Sequence, residues 1–148
     1  MEQRILTEMA ELLNSDGWNY SVFLKAYSGA TESASNISDI VNALIGNGIA
    51  VDEVRDVDAT EVTEEVSRSL GYVGNESAGP SAKILASAEF SNLVKSILES
   101  IAQLSKSSTG IKALTFVEGH PAYPVFWDFA FLFLSENDCL LLVGSSSD

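Results

Sequence analysis

Val125-Phe126-Trp127-Asp128-Phe129-Ala130-Phe131-Leu132-Phe133-Leu134 is the stretch on which the fold turns. Nine of these ten residues are apolar and the tenth is Asp128. The run is too short to span a bilayer and rich in the aromatic residues that favour strands. At period two, Trp127, Phe129, Phe131 and Phe133 share one face, and Asp128, Ala130, Leu132 and Leu134 the other. Both faces are largely apolar, so a single helix layer leaves a surplus. Either the earlier helices cover the second face or part of it is a binding surface.

Moving outward, Ser135-Glu136-Asn137-Asp138 has the composition of a hairpin turn, and a third apolar run follows from Cys139 to Val143. The closing Gly144-Ser145-Ser146-Ser147-Asp148 reads as a polar terminus. On the other side, Ile111 to Val117 is a glycine-bounded strand, and residues 119–124 form a proline-stiffened loop. Before it, Phe90, Leu93, Val94, Ile97, Leu98, Ile101 and Leu104 make a broad helical stripe over residues 87–104. Three antiparallel strands with that helix on one face is the simplest arrangement.

The N-terminal part reads as more helical. Ile5, Leu6, Met9, Leu12 and Leu13 recur at helical spacing and stop near Gly17. Residues 18–27 fit strand or helix, with aromatic and β-branched content favouring strand. Residues 29–35 read as a small polar loop. A helix then starts at a cap on Asn36 or Ser38, runs through Ile40, Val41 and Leu44, and ends at Gly46-Asn47-Gly48. Residues 52–65 read as an acidic approach loop and a solvated helix face, opened by an Asp58/Glu61 capping box. Residues 71–80 are a long loop rich in glycine. The fold class is therefore α+β: N-terminal helices and one long helix packed on a C-terminal antiparallel sheet of about three to four strands. With 148 residues the chain is one domain, 1–148.

The formal charge is −13, from 21 acids against 8 bases. That field opposes direct nucleic-acid binding by phosphate neutralisation and docking on an anionic membrane, and it favours a basic protein partner. A lone cysteine, Cys139, forms neither an internal disulfide nor a CxxC site, and no signal-like apolar run opens the chain. These features fit a cytoplasmic protein.

Chemistry-bearing residues are few. His120 is the only histidine, and Glu118, Tyr123 and Asp128 lie close to it in sequence. Cys139 lacks a nucleophile elbow, no phosphate-binding loop occurs, and the ligand set for a closed zinc site is missing. The expectation is no catalytic residue, no metal and no cofactor. Asp128, if buried, needs a partner or a raised pKa. Residues 52–65 hold seven acids against one base, Arg55. The candidate partner-binding residues are therefore Asp52, Glu53, Asp56, Asp58, Glu61, Glu64, Glu65, His120, Tyr123 and Asp128.

The segments His120-Pro121-Ala122-Tyr123-Pro124-Val125-Phe126-Trp127-Asp128-Phe129 and Gly144-Ser145-Ser146-Ser147-Asp148 resemble the immunity proteins of bacterial polymorphic toxins, contact-dependent inhibition systems among them. The resemblance covers the C-terminal quarter and carries over no functional residue. It implies a complex that neutralises a cognate toxin, often a basic nuclease, by steric and charge complementarity; the chain itself is expected to be a monomer or weak dimer. Two other classes fit the same sequence. One is an acidic dimeric secretion chaperone with an apolar groove. The other is a small enzyme or ligand-binding domain built on the loop between His120 and Asp128.

Overall fold

A computed structural model describes residues 1–31, 36–75 and 77–148. In chain order the elements are α1 (Gln3–Asn14), β1 (Ser21–Ala30), α2 (Ile37–Ile45), β2 (Ala50–Val57) and α3 (Ala59–Leu70). After these come α4 (Ala82–Leu85), α5 (Ala88–Ser107), β3 (Gly110–Glu118), β4 (Trp127–Leu134) and β5 (Asp138–Ser147). The strands form one five-stranded sheet in the order β1-β5-β4-β3-β2, and every neighbouring pair is antiparallel.

The α+β class holds, with two strands beyond the C-terminal three. β1 is the ambiguous N-terminal stretch, shifted to end at Ala30, so Gly29 and Ala30 belong to a strand and not to a loop. The rest of the loop expected there, residues 32–35, lies outside the described residues. β2 arises within the acidic segment, where a loop was expected. It pairs with β3 through two register shifts, and its residues 52–56 are all exposed. An edge strand need not show hydrophobic alternation, and charges with bulges are what keep such an edge from pairing with other chains. β5 also runs further than its apolar core, because Ser145 and Ser146 are buried as deeply as the leucines before them. The serines therefore form a strand end covered on both sides, not a polar tail.

Local signals explain the helices. Asn36 caps α2 by accepting from the Asp39 N–H, and Gly46, at φ 134°, ends it where an L side chain would be strained. Asp58 accepts from Thr60 and Glu61 N–H while the Glu61 carboxylate accepts from the Asp58 N–H, a complete capping box for α3. Such a cap stabilises a helix by about 1 kcal/mol. Ser87 accepts from the Phe90 N–H and starts α5.

Two apolar layers flank the sheet. On one face Phe129, Phe131 and Phe133 pack with Leu6, Met9 and Leu13 of α1, Val62, Val66 and Leu70 of α3, and Ile97 and Ile101 of α5. On the other, Ala130, Leu132, Leu141 and Val143 meet Ile40 and Val41 of α2. The second apolar face is thus covered by an earlier helix. The outer edge of β1 is closed by side chains of α1. Asn14 accepts from the Val22 N–H (2.6 Å) and donates to the Val22 carbonyl, and Gln3 does the same for the Ala26 N–H and Leu24 carbonyl. Two amide side chains stand in for a missing strand.

Candidate functional site

The β1–β5–β4 end of the sheet is built on three rings. Tyr20 precedes β1, Tyr72 follows α3, and Phe126 precedes β4. Their centroids lie 5.7 to 5.9 Å apart, within the favourable range for aromatic pairs. Trp127 donates its indole N–H to the Tyr20 hydroxyl at 2.9 Å, and burial pushes the Tyr20 phenol above its ordinary pKa of 10.0. Three distant chain segments are locked together here.

The sequence neighbours of those rings point outward. Trp18 is 71% exposed, Val73 76% and Val125 48%. Tyr123 at 84% and Val117 at 63% stand nearby in sequence, on the β3–β4 connection and the end of β3. Among the described residues, the exposed large hydrophobic side chains other than Val54 therefore sit at one end of the sheet. The backbone beneath Trp18 is fixed. Its N–H and carbonyl exchange hydrogen bonds with Gly79, at 3.0 and 2.9 Å, while the Asn75 side chain accepts from the N–H groups of Ser77 and Ala78. Gly74, at φ 73°, packs so closely on Gly79 that an added Cβ would sit 2.6 Å from the Gly79 Cα. The indole is thus displayed on backbone pinned by hydrogen bonds to Gly79, and such pre-ordering lowers the entropy cost of an aromatic anchor.

The acidic residues separate into roles. Asp58 is consumed by the helix cap. Asp56 pairs with Lys112 at 2.6 Å, Glu61 with Arg55 at 2.7 Å, and Glu65 with Arg68. Asp52 and Glu53 lie exposed on β2. Glu61, Glu64 and Glu65 of α3 come together with Asp128 of β4 around one cleft between β3 and β4. Asp128 is exposed, so the requirement for a buried partner does not arise. Its strand has no neighbour on the β3 side at that level.

His120 stands apart from this cleft, in a recess with Phe116, Tyr123 and Pro124. Its Nδ1 accepts the Ala122 N–H at 3.0 Å, which leaves the proton of the neutral ring on Nε2. Nε2 is buried without a hydrogen-bond partner among the described residues, and the Phe116 ring stands nearly perpendicular at 5.3 Å. Cys139 lies at the other end of the sheet, opposite Leu134, where its thiol donates to the Gly29 carbonyl. A His120–Cys139 pair is thereby separated by the length of β4. Among the described residues, no three His, Cys, Asp or Glu side chains are placed to hold a metal ion, and no helix is long and apolar enough to cross a membrane.

Burial depresses the His120 pKa below 6.5, opposed by the Asp128 charge. The unfolded chain then binds a proton that the folded one refuses, so His120 contributes stability that is present above pH 6.5 and lost as pH falls below it. We expect an NMR titration of the imidazole to give a midpoint below 6.5, and Asp128→Asn to move it lower still. An unmoved midpoint in Asp128→Asn is the result that refutes the coupling.

What sequence reasoning missed is the hydrophobic part of the site. Trp18, Val73 and Val125 carry no motif, and their only signal was a large apolar residue beside a turn former, Gly17, Gly74 and Pro124 respectively. Comparison with protein-family models, curated proteins and solved structures finds no match to this chain.

Proposed function

We propose that this chain is an acidic inhibitor of the immunity type, which binds a basic protein toxin and blocks it sterically. The observation that carries the reading is the grouping of Trp18, Val73, Tyr123 and Val125 at one end of the sheet, on a backbone locked by Tyr20, Tyr72 and Phe126. Tryptophan and tyrosine dominate the energetics of protein interfaces, and a net charge of −13 steers a basic partner towards them. The apolar group supplies affinity and the carboxylates supply rate and selectivity.

The tagged chain, pulled down from the cells that encode it at low and at high salt, should retain one stoichiometric basic protein. That protein should be toxic alone and harmless when this chain is co-expressed. Trp18→Ala with Tyr123→Ala should weaken the complex by about 1,000-fold, because truncating each interface anchor costs on the order of 2 kcal/mol. Both side chains are exposed, so thermal unfolding should be unchanged. Absence of any partner at either salt, or undiminished binding by the double variant, overturns the reading. Several effector proteins held by a dimer would assign the chain to the secretion chaperones instead.

A further inference from the structure

The sheet has an opening. Ala113 and Phe131 are the last pair joining β3 to β4, yet β3 continues to Glu118 and β4 begins at Trp127. Through this stretch β3 keeps pairs with β2, at Leu114, Phe116 and Glu118, and residues 127–130 of β4 stay paired with β5. Two strand edges therefore face each other with no strand between them. The space is a cleft of about 510 Å³, walled by Leu114 and Thr115 on one side and by residues 128–131 on the other.

An unpaired edge is a row of N–H and C=O groups open to water or to another chain. The outer edges are protected, β1 by Gln3 and Asn14 and β2 by its register shifts and charges. Among the described residues no side chain hydrogen-bonds the inner edges in this way. The charges at the cleft are acidic in balance: Arg55 and Arg68 pair with Glu61 and Glu65, while Glu64 and Asp128 enter no ion pair among the described residues. Glu64 belongs to α3, on the Phe129 face of the sheet, and Asp128 belongs to the opposite face of β4. Successive side chains of an extended segment also point to opposite faces. Two adjacent basic residues in the gap would each meet one of these carboxylates.

We propose that the β3–β4 gap receives an extended segment of the toxin, bearing two adjacent lysine or arginine residues, which adds a strand to the sheet. The inference rests on the reading of the chain as a binder of a basic protein, and it identifies the form in which part of that partner is held.

The test titrates the isotope-labelled full chain with acetyl-Thr-Lys-Lys-Thr-amide and follows its backbone amides by NMR. Along residues 114–118 of β3 and 127–130 of β4, the alternate amides that face the gap should shift and exchange more slowly. Glu64→Gln and Asp128→Asn should each weaken binding about threefold, the scale of an exposed ion pair. A peptide methylated on its backbone nitrogens should lose binding altogether, since it cannot pair with a strand edge. No shift at millimolar peptide, shifts confined to other residues, or equal binding of the methylated peptide each overturns the proposal.

The partner itself separates the two readings. If the captured toxin binds the Glu64→Gln/Asp128→Asn variant as tightly as the parent and the peptide leaves these amides unmoved, strand addition falls and the inhibitor reading stands. If the peptide fills the gap but no toxin is captured, the inhibitor reading falls and the acceptor cleft stands.

Discussion

Gly144→Ala is expected to destabilise the protein by about 3 kcal/mol, the upper part of the range for forcing one extra methyl into a packed interior. Gly144 sits in β5 between Leu24 of β1 and Phe129 of β4, directly opposite each. The Phe129 ring lies across it. A Cβ added at Gly144 would stand 2.7 and 2.8 Å from the two Cε atoms of that ring, and closer still to Cζ. A flexible side-chain end could swing away, but this ring is buried and stacked on both sides, 5.9 Å from Trp127 and 5.7 Å from Phe131. Moving it disturbs the whole aromatic row. Urea denaturation of Gly144→Ala, Phe129→Leu and the double variant checks this. The two losses should be less than additive by 1 kcal/mol or more, on the order seen for residues in contact. Additive losses would mean that the ring does not depend on the glycine.

The second large effect concerns Phe133, the largest of the fully buried side chains at 2% exposure. It lies between Ile111 of β3 and Leu140 of β5, within the layer formed by α1, α3 and α5. Phe133→Ala removes a buried ring and leaves a cavity that packed helices and strands fill only in part. The expected cost is about 4 kcal/mol, against a total stability of roughly 5–15 kcal/mol for a domain. At this chain length that lowers Tm by roughly 8–15 °C. Phe133→Leu should lose less than half as much. Calorimetry of the three proteins decides the matter: equal losses in both variants would place the ring's contribution in its shape and not its volume.

These two sites show what was legible beforehand and what was not. Phe133 declares itself, because alternate aromatic residues in a dense apolar run leave no other place for it. The capping box at Asp58 and the stripe of α5 are equally local: α3 starts directly after its cap, and α5 starts at Ala88, where its stripe begins. Gly144 does not declare itself. Followed by Ser145, Ser146 and Ser147 it has the composition of a tail, and only the ring of Phe129 from the next strand gives the glycine its reason. β2 was hidden for a related cause: an exposed, bulged edge has neither alternation nor a buried face, so Asp52, Glu53 and Asp56 look like a solvated loop. The acids of α3 and Asp128 were identified individually, but their meeting around one cleft depends on where β3 and β4 part. That parting is a property of pairing between strands and leaves no mark in either strand alone.

The placement of β1 sets the order in which the molecule can be completed. Within the sheet β1 is made first and the strand it pairs with, β5, is made after all the others; Ser21 and Ser147, 126 positions apart, share a hydrogen bond through their side chains. At ~5–20 residues per second of synthesis, roughly 6 to 25 seconds pass before that partner exists. During this interval one edge of β1 is already occupied by Gln3 and Asn14, contacts that need only the first few turns of chain. The nascent strand therefore waits with the Val22–Ala26 part of one edge withheld from neighbouring chains, and the local helix acts as a temporary escort until the C-terminal hairpin arrives.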